Sequence, residues 1–412
     1  MSPQKQPNKR LFFKGFLSMS VMAAAVLLAS FGSHAVANQP VPGFTQFMQS
    51  SGEWLLSQQR ANGSFPTSVG DPETIFNANI QSAAGLGMLS AWFATEDEDF
   101  LDSARNAADH LINNFDMWSG TGGTQPRIRT FDPLFFIRLS AATGDPTYAD
   151  FIQANFWNPL TAGTYGGPTR MWDIDDYVVS ELARRAGPGQ VIAAWDLALV
   201  AVAAEEAGIT AFRSSLAAGA ATALGTAPDD AYTLGTVGFD LLGLAGGVWL
   251  AAATGQSVTP ADGPWAGLTT VQLAQQLIAH QAGSGGVLQS TLALTSPVDE
   301  IQTVSQVTAF AVLGLDALDP NAFRNQIRRG LRALIDIFQE PDGRVSYYHP
   351  AVDLGSVGDP KPYPYLHAYV MFSVNEGGDE PPPATAVPMF SAWSLLLLLL
   401  LTLSVGWMAL RR

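Results

Sequence analysis

Cysteine is absent from all 412 residues. No disulfide can staple the fold, no thiolate can hold a zinc ion, and no cysteine nucleophile is available. Lysine is nearly absent too: after Lys14 the next is Lys361, so a Walker-type phosphate loop, which needs a lysine beside its glycines, has nothing to be built from. The body of the chain has no His-Glu-x-x-His, Gly-x-Ser-x-Gly or dinucleotide-binding glycine pattern, and this removes the usual signatures of zincins, α/β-hydrolases and Rossmann enzymes. Positive charge is scarce overall. Setting aside four basic residues before position 38 and the two at 411–412 leaves 15 basic against 36 acidic residues, a net charge of −21. Such a surface repels nucleic acid and anionic lipid, and no nucleic-acid partner, metal or cofactor is expected.

Both ends read as addresses. Residues 1–37 carry Lys5, Lys9, Arg10 and Lys14, an apolar run through Leu28, then Ala35-Val36-Ala37 before Asn38, the pattern of a signal peptide. No charge occurs between Glu380 and Arg411, and residues 390–410 are apolar, long enough to span a bilayer and stopped by Arg411 and Arg412. The string Val387-Pro388-Met389-Phe390-Ser391-Ala392-Trp393 resembles the C-terminal sorting signals of Gram-negative bacteria that read I-P-T-L-x-x-W, with Met389 and Phe390 departing from Thr-Leu. The expected organisation is a signal peptide at 1–37, a helical domain at 38–375, a linker at 376–386, and a sorting motif with transmembrane helix at 387–412. The chain is then exported and held in the inner membrane at the cell envelope, and the resemblance implies an exosortase-like processing enzyme as a partner.

A skeleton of glutamine, glycine and an apolar residue recurs three times, as Gln59, Gly63 and Phe65, as Gln281, Gly285 and Val287, and as Gln339, Gly343 and Val345. Each copy closes an amphipathic helix; before the last, Phe323, Ile327, Leu331, Leu334 and Phe338 fall at helical spacing. The glycine supplies the left-handed turn that stops the helix, and the glutamine is placed to tie helix-end carbonyls to the next segment. The first copy, running from Trp54 and Leu55 to Phe65, resembles the W-L-x3-Q-x3-G-x-F repeat of terpene cyclases and protein prenyltransferases, with Phe65 where tryptophan is usual. Over residues 43–375 the resemblance implies an all-α fold, a single α/α toroid of about six helical hairpins. Turn signals agree with that. Helices rich in Ala, Gly and Leu at 77–95, 131–143, 190–206, 237–254 and 300–317 suit an inner ring, and those at 97–117, 146–157, 209–224, 266–283 and 320–339 suit an outer one. The helix at 43–60 and the segment 363–374 have no partner nearby in sequence, and pairing them closes a sixth hairpin.

Three functional readings stay open. Asp173, Asp175 and Asp176 match the D-x-D-D string with which class II terpene cyclases protonate an alkene, where crowded carboxylates keep one proton available; the alternative is a helix cap. Trp195 and Asp196 resemble part of the squalene-hopene cyclase W-D-T-A-L-A hairpin, which in those enzymes precedes the acidic motif rather than following it. Asp132 and Asp196 share a register, each twelve residues before a turn glycine, and with Asn77, Asn79, Gln81, Asp240, Asp299 and Glu300 they mark the starts of inner helices, facing a cavity at the toroid mouth or serving as caps. Trp118, Arg127, Arg129, Tyr165, Arg170 and Trp172, from the inserted loops, place aromatic faces beside arginines, which suits a glycan with acidic groups; paired carboxylates are what glycoside hydrolysis needs. A lipid ligand follows from the cyclase reading, and a non-catalytic interaction domain is the third possibility.

Overall fold

The structure, a computed structural model, describes residues 41–72, 77–118, 127–166, 171–185, 189–226, 239–352 and 363–377. The leader, the sorting motif and the apolar run at 390–410 lie outside the described residues; among those described, no helix is long and apolar enough to cross a membrane.

Two kinds of helix alternate along the chain. Those at Ala78–Thr95 (α2), Phe131–Thr143 (α4), Ala193–Glu206 (α8), Asp240–Thr254 (α10), Ser305–Leu318 (α12) and Pro364–Gly377 (α14) are apolar on nearly every side and largely buried. A helix without a polar face belongs between other helices. They close on themselves: α2 packs on α4, α4 on α8, α8 on α10, α10 on α12, α12 on α14, and α14 returns to α2. Small residues set the spacing, and at Gly87 a Cβ would lie 2.6 Å from that of Ala368 in α14. The outer helices are Phe44–Ser57 (α1), Glu98–Asn113 (α3), Pro146–Ile152 (α5) continued through a π turn into Asn158–Ala162 (α6), Arg213–Leu224 (α9), Thr270–Ala279 (α11) and Arg324–Arg332 (α13), itself continued by a π turn to Ile337. In α3 the buried side includes Leu101, Ala104, Ala108 and Leu111 at helical spacing. An outer segment separates consecutive inner helices, with one additional helix before α8, and the inner helices start at the same rim, the mouth.

The boundaries follow local chemistry. Asp97 accepts a hydrogen bond from the Asp99 amide at 3.1 Å, and Asp145 accepts one from the Thr147 amide at 2.9 Å with Pro146 at the first helical position. Asp319 caps the amides of Asn321 and Ala322, but the regular helix begins only at Arg324, later than Asp319-Pro320 suggested.

The three repeat copies do one job. Gln59 donates to the carbonyls of Gly63 (2.9 Å) and of Ser103 in α3 (2.9 Å); Gln281 donates to those of Gly285 (3.0 Å) and of Gln326 in α13 (2.9 Å). Gln339 reaches Phe47 O, Ser50 Oγ and Ser51 Oγ of α1 at 3.2, 3.0 and 2.8 Å. Each glutamine thus ties its turn to the next outer helix, and the third ties the last outer helix to the first. Gly343 has φ +87, and a Cβ there would lie 2.3 Å from Ser50 O, so both backbone angle and space demand glycine. Two residues on, the amides of Phe65, Val287 and Val345 donate to Gln81 Oε1, Thr308 Oγ1 and His367 Nδ1, each the fourth residue of its inner helix. His367 Nε2 also sits 2.9 Å from Ser51 O. Since Nδ1 accepts, Nε2 carries the proton, and burial pushes this imidazole down to about 4, so it is neutral at ordinary pH.

Three features depart from expectation. A two-stranded antiparallel sheet, Val287–Leu288 (β1) with Thr303–Val304 (β2), pairs Val287 with Val304 and Leu288 with Thr303. An extra helix, Ile174–Arg184 (α7), precedes α8. Glu376, expected to begin a linker, is still in α14 and is clamped by Arg138 of α4 at 2.7 Å, which also holds Glu206 of α8 at 2.6 Å.

Candidate functional site

Four inner helices send aromatic rings to the mouth end of the ring's axis. Phe131 stacks on Tyr369 with centroids 4.5 Å apart and planes 11° from parallel; Trp195 meets Phe131, Phe310 and Tyr369 edge-on at 5.6, 5.3 and 5.6 Å. Tyr365 lies 5.5 Å above Tyr369 and 5.5 Å from Tyr363. Phe131 and Phe310 are fully buried, whereas Tyr363 and Tyr365 stay half-exposed. Burial and the nearby Tyr363 push the Tyr365 hydroxyl up to about 12, so it remains a neutral donor.

Beside this stack lies a charged cluster from α4, α7 and α8. Asp196 Oδ2 is 2.8 Å from Arg184 and 2.8 Å from Arg185, and Arg184 also holds Glu181 at 2.5 Å. Both carboxylates are 1 % exposed, but the Arg185 side chain is 31 % exposed. Burial alone would raise Asp196; Arg185 and Arg184 outweigh it and hold the carboxyl below its usual range. Glu181 has one arginine instead of two, so burial wins and its carboxyl is raised. Of these two carboxyls, Glu181 is thus the one pushed toward its neutral form and Asp196 the one held ionised.

Asp132 completes the group. It accepts from Ser82 Oγ at 2.6 Å and from the Arg129 amide at 3.0 Å, and is fully buried. Burial pushes it up to about 7, against those two hydrogen bonds and the Arg129 charge, with Glu181 adding to the rise. The loop it holds is strained: Thr130 has φ +46, costly for a β-branched residue. Asn79 Oδ1 accepts the Thr130 hydroxyl, and the Tyr165 hydroxyl accepts the Ile128 amide at 2.8 Å and donates to the Ile128 carbonyl at 3.2 Å. Three side chains thus fix four residues that carry Arg127 and Arg129 at the mouth.

Comparison with known proteins bears on the fold. No family model matches the chain, and no curated protein is similar to it. Among solved structures, it is similar to an unsaturated glucuronyl hydrolase of Bacillus sp. GL1, responsible for the degradation of glycosaminoglycan, at 14 % identity and TM-score 0.51, over 82 % of this chain and 99 % of that one. It is also similar to the GH76A α-1,6-mannanase of Salegentibacter sp. HEL1_6, at 12 % identity and TM-score 0.50, over 81 % and 98 %. The fold is an α/α toroid. These likenesses carry the architecture that the repeat implied, and nothing in them bears on terpenoid cyclisation.

Several expected site residues have other work. Asp173 accepts from the amides of Asp175 and Asp176, both at 3.0 Å, and all three carboxylates are exposed at the start of α7. A proton-donating acid must be shielded from water to hold its proton; this string is the helix cap, and the cyclase role is corrected. Trp118 is a core residue, its Nε1 donating to Leu111 O at 3.0 Å, and Tyr165 is a buried loop brace, so neither is a free stacking surface. Gln81 holds both the amide and the carbonyl of Phe65. Asp240 accepts from the amide and hydroxyl of Thr291, Glu300 from those of Ser284, and Asp299 from the Ile301 amide. Asp240 and Glu300 thus hold neighbouring loops and Asp299 caps its own turn, while Asp240 Oδ1 is buried without a partner among the described residues. Asn77 flanks α2 without a side-chain cap. Arg127 is exposed and lies over Phe115 at 5.7 Å, and Trp172 is half-buried, 6.3 Å from Tyr165. Arg170 lies outside the described residues. Glu181, Arg184, Arg185, Tyr363, Tyr365 and Tyr369 were missed; the doubled arginine before the Trp195 helix was the one available signal.

The raised Asp132 carboxyl predicts a pH effect. Its folded pKa lies above the unfolded value, so the stability it contributes is complete below about pH 4 and is lost as pH rises to about 7. In Asp132→Asn the amide still accepts from Arg129 N–H and donates to Ser82, whose hydroxyl can reverse. The variant should therefore exceed the parent by up to about 4 kcal/mol at pH 8 and lose that advantage at pH 4. Urea unfolding at both values checks it; an equal difference at the two pH values would show that Asp132 is not carrying the proton.

Proposed function

We propose that this protein is an exported toroid, anchored in the cell envelope by its C-terminal apolar segment, that binds an extracellular glycan bearing acidic sugars at its mouth. The observation that carries the reading is Arg185, a partly exposed guanidinium backed by buried Asp196 and within electrostatic reach of Tyr369, the ring against which half-exposed Tyr365 packs. Aromatic faces hold sugar rings, and a guanidinium whose counter-charge is buried keeps donors for a carboxylate or sulfate. Binding fits better than hydrolysis. Glycoside cleavage needs two carboxyl groups that flank the scissile bond, whereas Asp132, Glu181 and Asp196 are buried and hydrogen-bonded within the protein.

Calorimetric titration with a uronate oligosaccharide and a neutral one of equal length tests this. The acidic ligand should bind, the neutral one should bind more weakly, and Arg185→Gln should weaken the acidic ligand about tenfold, the size of a lost charge-assisted hydrogen bond. Tyr365→Leu should weaken both. Equal affinities for the two ligands, or Arg185→Gln binding like the parent, would overturn the assignment. Fractionation that places the protein in the soluble cytoplasm would remove the envelope reading.

A further inference from the structure

Positive charge on this acidic body is concentrated on one outer helix. Arg324, Arg328, Arg329 and Arg332 fall within the nine residues of α13, which contain no acid; the first one beyond them is Asp336, one turn after Arg332. They are four of the 15 basic residues that lie between the two ends. The flanking outer helices do not neutralise them: α11 has no charged residue and α1 has only Glu53. Arg324, Arg328 and Arg332 are four residues apart, so they run along one side of the helix at steps of about 6 Å. Among the described residues none of these three forms an ion pair. Arg329 is engaged, donating to Gln281 Oε1 at 3.0 Å. Cations often sit at a helix end to meet its free carbonyls, but this helix runs on through Ala333–Ile337, so the carbonyls beside the stripe are not an end. Ile327, Gly330 and Leu331 form the buried side; Arg324 and Arg328 lie half-exposed along its edge, and Arg332 is exposed.

The described part of the chain also ends at this helix. Gly377, the last described residue, lies against α12 and α13: a Cβ there would be 2.6 Å from Val312 and 3.8 Å from Leu331. Residues 378–389 then lead to the apolar run at 390–410. Twelve residues reach at most about 40 Å, so a bilayer entered by that run lies within that reach of Gly377, beside α13.

We infer that the Arg324–Arg328–Arg332 stripe is a docking face for the phosphate headgroups of an anionic lipid surface. The inference rests on the anchoring reading for the tether and on α13 itself for the charge. Forked guanidiniums suit phosphate oxygens, and arginines beside a membrane-spanning segment are drawn to anionic headgroups. The net charge of −21 repels the rest of the body from the same surface, so the stripe selects one side. Because α13 is on the wall of the toroid, seating it on the bilayer turns the mouth sideways, along the membrane.

The absence of cysteine makes the test clean. In the full chain, Asn325→Cys places a fluorophore within the stripe, and Ala154→Cys places one on the exposed π turn of the opposite wall. Energy transfer is read to headgroup-labelled vesicles of phosphatidylcholine alone or mixed with phosphatidylglycerol. With the anionic lipid, transfer from position 325 should exceed that from 154, and high salt or the combined Arg324→Gln, Arg328→Gln and Arg332→Gln variant should erase the difference without moving the melting temperature. Flotation with neutral vesicles reads the anchor separately. Flotation there with equal transfer from the two labels on anionic vesicles overturns docking and leaves the anchor; no flotation there, with arginine-dependent flotation on anionic vesicles, removes the anchor and keeps docking. Arginine-dependent binding of a soluble polyuronate, or arginine-dependent pairing of two copies, without a response to anionic lipid would also overturn it.

Discussion

Deleting residues 363–377 is expected to abolish the cooperative folding of the whole ring. Eleven of the 14 residues of α14 are buried, including Val370, Met371, Phe372 and Val374. At about 1.5–3 kcal/mol for each large apolar side chain removed from water, their loss alone approaches the net stability of an ordinary domain, about 5–15 kcal/mol. The deletion also opens the facing sides of α2 and α12, removes the stacking partner of Phe131, frees Arg138 from Glu376, and takes away the imidazole that joins Val345 to Ser51. A ring differs from an open stack in this respect, because the missing member leaves two unpaired faces. Calorimetry should show no cooperative transition near that of the parent. A truncated chain with the parent's melting temperature would show that the ring does not depend on closure.

Asp196→Ala should cost about 3–5 kcal/mol, the usual penalty for removing one partner from a buried ion pair. Asp196 is the shared acceptor of Arg184 and Arg185, and without it those guanidiniums have only Glu181 close by. Glu181→Gln should be milder, about 1–2 kcal/mol, because burial already raises Glu181 toward its neutral form while Asp196 is held ionised. Urea denaturation of both variants at pH 7 measures the ordering. A larger loss for Glu181→Gln would mean that the charge assignment within the cluster is reversed.

The repeat was legible for a physical reason. A glutamine, a glycine at positive φ and an apolar residue two further on form a local device, complete within a few residues, so each copy announces itself. What the copies bind was not legible. Gln339 reaches α1 across 292 positions to Phe47, and only ring closure brings them together. The acidic string Asp173-Ile174-Asp175-Asp176 shows the opposite case: it was the most conspicuous chemistry in the chain, and it folds into an exposed cap.

By itself the sequence determined the absence of thiol and phosphate-loop chemistry and the alternation of apolar and amphipathic helical segments, because composition and periodicity act locally. The tertiary structure alone decided which acids meet which arginines, that α7 delivers Glu181 and Arg184 against Asp196, and that Asp132 titrates near 7 while Asp196 stays ionised. A carboxyl's proton affinity depends on its distance from water and from other charges, and both distances are set through space, by residues far away along the chain.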